Sequence, residues 1–328
     1  MKSRIPNFFY LRGKILCLII YCLLYYFKYI ITNEKYIILN ITKWIITVEE
    51  ETNNKINNLL KSCNHRVIPS DDGTDISFRV WGDNGPVLLL LHGGYGSWLH
   101  WFNNIISLSE DFRLVIPDMP GFGTSEALPE LPGLDKYAMT LVNALAKLIP
   151  DEVYNIVGFS FGSAIGSHMV KFAGDRVNRL TLIGYNRTGN MPFIRPKMKS
   201  WRKVNNKEEL YAAQRHNLSV MMIHKSDKID DLAINLQTIN TSGAKVRSLD
   251  IVASHDLPNR ILDIQKPIDI IWGEFDVTLI NGVEDARVRM TDIIPDVKCH
   301  IIHNAGHWIQ FEEPEEFNKI IKQIFLVH

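Results

Sequence analysis

The stretch of sequence that indicates the fold most clearly is Gly158-Phe159-Ser160-Phe161-Gly162. It follows the apolar run Val153–Val157, which is typical of a strand, and precedes Ser160–Phe172, which we expect to be helical. In a sharp strand-to-helix turn a serine is held in a strained conformation with its oxygen exposed, and flanking glycines avoid collisions. The helix N-terminus also favours developing negative charge. We therefore predict that Ser160 is a nucleophile; the alternative is a glycine-rich turn with a capping serine.

The chain around this turn alternates between strand-like and helix-like segments from about Val48 onward. Such alternation predicts an α/β protein with a parallel sheet and right-handed crossovers. Between about Tyr185 and Asp256 no clean strand pattern occurs, which indicates one helical insertion above the sheet. The predicted strands are Asp75–Trp81, Val87–Leu91, Leu114–Pro117, Val153–Val157, Val177–Ile183, Pro267–Trp272 and Val297–Ile302, and two further predicted helices are Leu134–Ile149 and Pro314–Leu326.

A second glycine-rich motif, His92-Gly93-Gly94-Tyr95-Gly96-Ser97, directly follows the apolar run Val87–Leu91. A loop of small residues lets backbone N–H groups approach an oxyanion. We predict that the amides of Gly94 and Phe161 are the two donors and that His92 is structural. The motif is not a dinucleotide fingerprint, because the GxGxxG pattern fails after Gly96.

Candidates for a general base and an acid come later in the chain. His307 lies in a loop between the last predicted strand and the last helix, and His303 at the strand end is its nearest competitor. An acid is needed to hold the tautomer of the imidazole. Asp276 follows a strand and is our candidate, with Glu274 and Asp250 as competitors. The resulting chain order is serine, aspartate, histidine.

With these motifs in order, the chain from roughly His65 to its C-terminus resembles the α/β-hydrolase superfamily. The segment Pro117–Ser125 is similar to the DxPGxGxS loop of that family, in which Asp118 and Ser125 would bond loop backbone. The resemblance implies a mostly parallel eight-stranded sheet flanked by helices, with an inserted helical cap. We therefore expect an N-terminal extension over residues 1–47 and a hydrolase domain over residues 48–328, with the cap at about 185–256.

Within the superfamily, the segment Gly306–Glu312 is similar to the meta-cleavage-product hydrolases, which break carbon–carbon bonds. Those enzymes usually carry asparagine before the nucleophile and an arginine in the cap. This chain has Phe159 at the first position, and Arg215 and Arg247 are only candidates for the second. Epoxide hydrolases and haloalkane dehalogenases are disfavoured because their nucleophile is aspartate.

The resemblance implies a serine hydrolase that cleaves a carboxylic ester or related acyl bond of a small apolar substrate through an acyl-serine intermediate. Two alternatives stay open: a carbon–carbon bond hydrolase of the meta-cleavage type, and a ligand-binding, receptor-like protein on the same fold. We predict substrate contacts from Phe159 and Trp308. Further residues that either line the pocket or form the core of the cap are Trp201, Tyr211, Met221, Met222 and Ile223.

Neither cofactor nor metal is expected, since the cysteines at positions 17, 22, 63 and 299 show no CxxC spacing. A net charge of zero and the lack of a basic stripe argue against nucleic-acid binding. The sequence carries no indication of the oligomeric state.

The first 47 residues differ in composition from the rest, with Glu34 as their only acidic residue. The run from Ile15 to Thr32 is almost wholly apolar, and a bilayer-spanning helix needs ~20 such residues. Basic residues before this run predict a cytoplasmic N-terminus. Two interpretations follow: a membrane anchor over residues 15–32, or a start site set too early, in which case translation begins near Val48 and the enzyme is cytoplasmic.

Overall fold

A computed structural model describes residues 43–130, 133–185, 196–252, 261–294 and 296–326. The chain divides into two compact units, residues 1–50 and 51–328. In the first unit the described residues, 43–50, are helical. The expected anchor at residues 15–32 lies outside the described residues. Over the ranges that are described, no helix has the length and apolar character needed to cross a bilayer.

The second unit is built on an eight-stranded sheet with the order β1-β2-β4-β3-β5-β6-β7-β8. Strand β2 pairs antiparallel with β1 and with β4, and every other neighbouring pair is parallel. The prediction of a mostly parallel eight-stranded sheet is therefore confirmed. The strands are β1 Asn64–Pro69, β2 Asp75–Trp81, β3 Val87–Leu91, β4 Arg113–Pro117, β5 Tyr154–Phe159, β6 Val177–Ile183, β7 Ile268–Gly273 and β8 Lys298–Ile302.

Helices cover both faces of the sheet, so β3, β5 and β7 are buried along their whole length, and β3 is apolar throughout. The alternation within β3 shows the two layers: Leu89 and Leu91 pack into one apolar cluster, and Leu88 and Leu90 into the other. The helices are α1 at residues 51–60, α2 Ile105–Ser109, α3 Leu134–Leu148, α4 Phe161–Ala173, α5 Lys207–Asn217, α6 Asp231–Ser242, α7 Ser248–Val252, α8 Val283–Ile293, α9 Ile309–Glu312 and α10 Pro314–Leu326.

The described residues between β6 and β7, which we call the cap, span 196–252 and contain α5, α6 and α7 but no strand. A single π-helical turn, Leu218–Met222, follows α5. The cap is tied to the sheet loops by a hydrogen bond from the Ser97 hydroxyl to Asn240 Oδ1 at 2.6 Å. The Lys245 amide also donates to the Gly121 carbonyl at 2.8 Å. The ends of the predicted insertion, residues 186–195 and 253–256, lie outside the described residues.

Candidate active site

Ser160 stands at the turn between β5 and α4 with φ 51° and ψ −106°, an unusual conformation for a residue with a side chain. Its N–H donates to the Ile183 carbonyl at 2.8 Å. A Cβ atom at Gly158 would lie 2.4 Å from the Gly162 carbonyl oxygen, and one at Gly162 would lie 2.3 Å from that of Leu91. Both glycines are thus required for this turn, and the surrounding structure holds the strained serine in place.

His307 and Asp276 follow β8 and β7, two neighbouring parallel strands whose carboxyl ends share one edge of the sheet. Nδ1 of His307 lies 2.7 Å from Oδ2 of Asp276, and both side chains are buried. The other carboxylate oxygen accepts hydrogen bonds from the Thr278 amide at 2.9 Å and from its hydroxyl at 2.7 Å. The bond to Asp276 places a proton on Nδ1, which leaves Nε2 free to accept one.

Ser160 and His307 border the same cavity. Between these two described side chains no hydrogen bond is formed. Catalytic hydrogen bonds of this kind are often long before a substrate is bound.

Gly184, the residue after β6, determines how closely the sheet approaches the histidine. Its φ is +58°, and a Cβ atom there would lie 2.7 Å from Cε1 of His307 and 3.4 Å from Oδ2 of Asp276. Any side chain at this position would displace the pair. Gly184 was not predicted from the sequence; the available signal was a glycine at the carboxyl end of a strand next to the one that precedes Ser160.

Two backbone amides predicted as oxyanion donors belong to residues that line this cavity, Gly94 and Phe161. Phe161 is the first residue of α4, so its N–H has no partner within the helix. A Cβ atom at Gly94 would lie 2.5 Å from the Ser248 hydroxyl oxygen, so the cap covers this loop closely. Ser248 was also missed, because only the folded chain brings α7 to the loop.

Two buried histidines support the glycine-rich loop. Nδ1 of His92 donates to the Gly93 carbonyl at 2.8 Å, and its Nε2 accepts from the Met119 amide at 2.9 Å. Burial lowers the pKa of His92 from its ordinary value of 6.5 to about 4, so the ring is neutral. Nδ1 of His100 accepts from the Gly93 amide at 3.0 Å. Burial also lowers the pKa of His100 well below 6.5, which preserves that acceptor.

The other candidates for the acid, Glu274 and Asp250, and for the base, His303, interact with other side chains. His303 lies at the surface, 3.3 Å from Glu274. The Glu274 carboxylate also accepts the Asn304 amide at 3.0 Å, and this bond lowers its pKa. Asp250 lies 3.6 Å from Arg247 on the exposed side of the cap. His307 is instead paired with Asp276.

A cavity of about 300 Å³ lies between the sheet edge and the cap. Its described lining contains neither lysine, arginine, aspartate nor glutamate. Four residues predicted to contact substrate or line a pocket do border it: Phe159, Trp201, Met221 and Met222. Polar residues of the cap that border it are Asn217, Gln237, Thr241 and Ser248.

Other predicted contacts lie outside this lining. The indole N–H of Trp308 donates to the His100 carbonyl at 3.0 Å, and its ring centroid lies 5.1 Å from that of His100. The Tyr211 hydroxyl bonds to Asp231, and Ile223 is buried in an apolar cluster. Neither candidate cap arginine, Arg215 or Arg247, borders the cavity.

The strand order, the turn at Ser160 and the cap together define an α/β-hydrolase fold. A family model described as "alpha/beta hydrolase fold" matches residues 86–221. By its fold, and by this match over residues 86–221, the chain is similar to the α/β-hydrolases.

Individual relatives and solved structures that are similar to this chain have names of two kinds, carbon–carbon bond hydrolases and ester hydrolases. A 2-hydroxy-6-oxononadienedioate/2-hydroxy-6-oxononatrienedioate hydrolase of Pseudomonas putida is 24% identical over 281 residues, covering 77% of this chain and 92% of the relative. The solved structure of naproxen esterase (carboxylesterase NP) from Bacillus subtilis has a TM-score of 0.64 at 19% identity, covering 84% of this chain and 96% of the esterase. That of a membrane phospholipase A has a TM-score of 0.66 at 21% identity, covering 97% of both chains.

Proposed function

We propose that this protein is a serine hydrolase that cleaves an ester or related acyl bond of a neutral, largely apolar substrate. One observation carries the proposal: Ser160 and an Asp276-paired His307 border one cavity whose described lining holds no lysine, arginine, aspartate or glutamate. In such a site a neutral acyl group can bind beside the nucleophile without losing the solvation of a charge.

The proposed reaction begins when Nε2 of His307 takes the Ser160 hydroxyl proton as Oγ attacks the carbonyl carbon. The amides of Gly94 and Phe161 stabilise the oxyanion; removing one such donor costs about 3 kcal/mol in comparable enzymes. Asp276 stabilises the imidazolium. His307 then gives the proton to the leaving alkoxide, and the acyl group stays on Ser160. Water loses a proton to His307 and attacks the acyl carbon. His307 then returns the proton to Oγ of Ser160 as the bond to the acyl group breaks, which releases the acid and the free serine.

Charge favours this reaction over carbon–carbon cleavage of a dicarboxylate. The named substrates of the Pseudomonas relative are dioates, which carry two carboxylates near neutral pH. Burying a carboxylate without a cation or hydrogen-bond donors is costly. The two arginines considered for that role, Arg215 and Arg247, do not border the cavity. The relatives' names nevertheless make carbon–carbon cleavage the second candidate.

Steady-state kinetics on p-nitrophenyl esters of neutral acids and on 2-hydroxy-6-oxononadienedioate separate the two candidates. We expect kcat/KM for the best ester to exceed that for the dioate by about a hundredfold or more, which corresponds to about 3 kcal/mol for unpaired carboxylates. Efficient hydrolysis of the dioate with slow hydrolysis of every ester would instead establish the second candidate.

Residues 15–32 are proposed to attach the protein to a membrane. Their apolar composition supports the proposal, as does the similarity to a protein titled a membrane phospholipase A. Fractionation of the full-length protein tests it: detergent, but not alkaline carbonate, is expected to release the protein from the pellet. Recovery in the supernatant without detergent would exclude the anchor.

A further inference from the structure

Gln237 on α6 is a polar residue of the cavity wall whose side chain has no hydrogen-bond partner among the described residues. The residue is 8% exposed, and its side-chain oxygen is fully buried without a partner. Across the described chain, no group bonds its side-chain nitrogen either. Thr241, one turn further along α6, is satisfied: its hydroxyl donates to the Gln237 main-chain carbonyl at 2.9 Å and accepts from Gln214 Nε2 at 2.7 Å.

Asn217 provides an internal comparison, since it borders the same cavity. Its Oδ1 accepts from the Lys199 amide at 2.7 Å, and its Nδ2 donates to the Lys199 carbonyl at 2.9 Å. The Asn217 amide therefore holds the cap together. The Gln237 amide has no such structural task, although burying an unpaired polar group costs about 1–3 kcal/mol.

We propose that Gln237 binds an uncharged hydrogen-bonding group of the substrate, a hydroxyl, carbonyl or amide, at a distance from the scissile bond. A carboxamide carries both donors and an acceptor, so either kind of partner satisfies it. The partner is uncharged because the described cavity lining offers no lysine or arginine to an anion and no carboxylate to a cation. The inference rests on the proposed function and assigns its substrate class: esters whose apolar chain carries one oxygen-containing or amide group.

The test compares p-nitrophenyl esters of acids with five to eight carbons, each plain or with one oxo group at successive positions. At the best position the wild type should prefer the oxo ester about tenfold in kcat/KM, the value of one net hydrogen bond. In Gln237→Leu, which keeps the volume but removes the amide, the preference should disappear while the plain ester is hydrolysed at least as well. Ser248→Ala, which removes a hydroxyl elsewhere in the cavity wall, is the control and should keep the preference.

Binding of the same esters to Ser160→Ala, measured by calorimetry, separates this inference from the proposed function. Tighter binding of the oxo ester to Ser160→Ala, lost on adding Gln237→Leu, supports the Gln237 site even if the wild type hydrolyses no ester. An equal response to plain and oxo esters at every position, in turnover and in binding, would overturn the inference while leaving ester hydrolysis intact. Equal oxo preference in wild type and Gln237→Leu would also overturn it.

Discussion

Two glycines with nearly the same positive φ, Gly174 at +57° and Gly184 at +58°, separate backbone strain from crowding at the candidate site. A Cβ atom at Gly184 would strike His307, whereas one at Gly174 would meet nothing within 4 Å. We expect Gly184→Ala to lower kcat by about a hundredfold, because a displacement of ~1 Å at a reacting group can have that effect. Ester hydrolysis by the purified variant measures it.

Gly174→Ala is the control for that substitution. Both variants should lose at least about 1–2 kcal/mol of unfolding free energy, because a residue with a Cβ atom is strained at positive φ. Only Gly184→Ala should lose activity. Equal activities in the two variants would show that the His307–Asp276 pair does not depend on this close approach.

The candidate site residues that could be chosen from the sequence are those that lie in local motifs. Ser160, Gly94, His307 and Asp276 each stand at a fixed offset from a strand end, and the structure brings them to one edge of the sheet. The same motifs gave no sign of Gln237. Its side-chain amide, which has no partner among the described residues, could be recognised only once α6 is folded over the cavity.

Among the secondary-structure elements, the burial of a strand determined whether its position could be predicted from the sequence. Strands β2, β3 and β6 have the predicted bounds, and β3 is the clearest case, because a continuous apolar run marks a strand covered on both faces. Strand β1 was missed. It pairs only with β2 at the sheet edge, and five of its six residues are exposed. An edge strand without a buried face shows no periodic pattern.

Helix α9 connects the loop that holds His307 to the cap, and nothing in the sequence indicated this connection. Glu312 is fully buried there, and its carboxylate accepts the amides of Gly306 at 2.7 Å, Lys225 at 2.6 Å and His224 at 3.1 Å. Gly306 immediately precedes His307, and the other two amides belong to the cap. One carboxylate thus joins the histidine loop to the cap.

We predict that Glu312→Gln lowers the unfolding free energy by about 2–3 kcal/mol, since the amide nitrogen cannot accept an N–H and bonds to charged groups are worth about 1.5–3 kcal/mol. Urea denaturation measures the loss. Glu313→Gln is the matched control, because its partly exposed ion pair with Lys225 should contribute at most about 1 kcal/mol. Equal losses in both variants would contradict the role assigned to Glu312.

At the scale of the whole molecule, the buried neutral histidines make stability dependent on pH. The pKa of His92 falls from 6.5 to about 4 on burial, so the unfolded chain binds more protons between these values. Stability from this group is therefore complete above about pH 6.5 and is lost as pH falls toward 4. The loss between pH 7 and pH 5 should be about 2 kcal/mol.

Urea denaturation at pH 7 and pH 5 checks this sign and size. His92→Asn should be less stable than the wild type at pH 7 but should lose about 2 kcal/mol less on acidification. His303→Asn, at an exposed histidine, should follow the wild type. A pH response in His92→Asn as steep as that of the wild type would rule out His92 as its source.

The alternation of strands and helices was sufficient to predict the α/β architecture and a helical insertion, because layer packing follows from local patterns. The residues that line the cavity were not predictable to the same degree. Of the cap residues considered, Trp201, Met221 and Met222 border the cavity, but Tyr211 and Ile223 do not. Which face of a cap helix meets the sheet depends on tertiary contacts.

Intact mass after incubation with a fluorophosphonate probe tests most directly whether Ser160 is an activated nucleophile. Ser248→Ala is the matched control, since Ser248 is a second serine that borders the cavity. A single adduct is expected on the wild type and on Ser248→Ala, and none on Ser160→Ala. An adduct that persists in Ser160→Ala, or none on the folded wild type, would contradict the proposed hydrolase, and the second result would favour a ligand-binding protein on this fold.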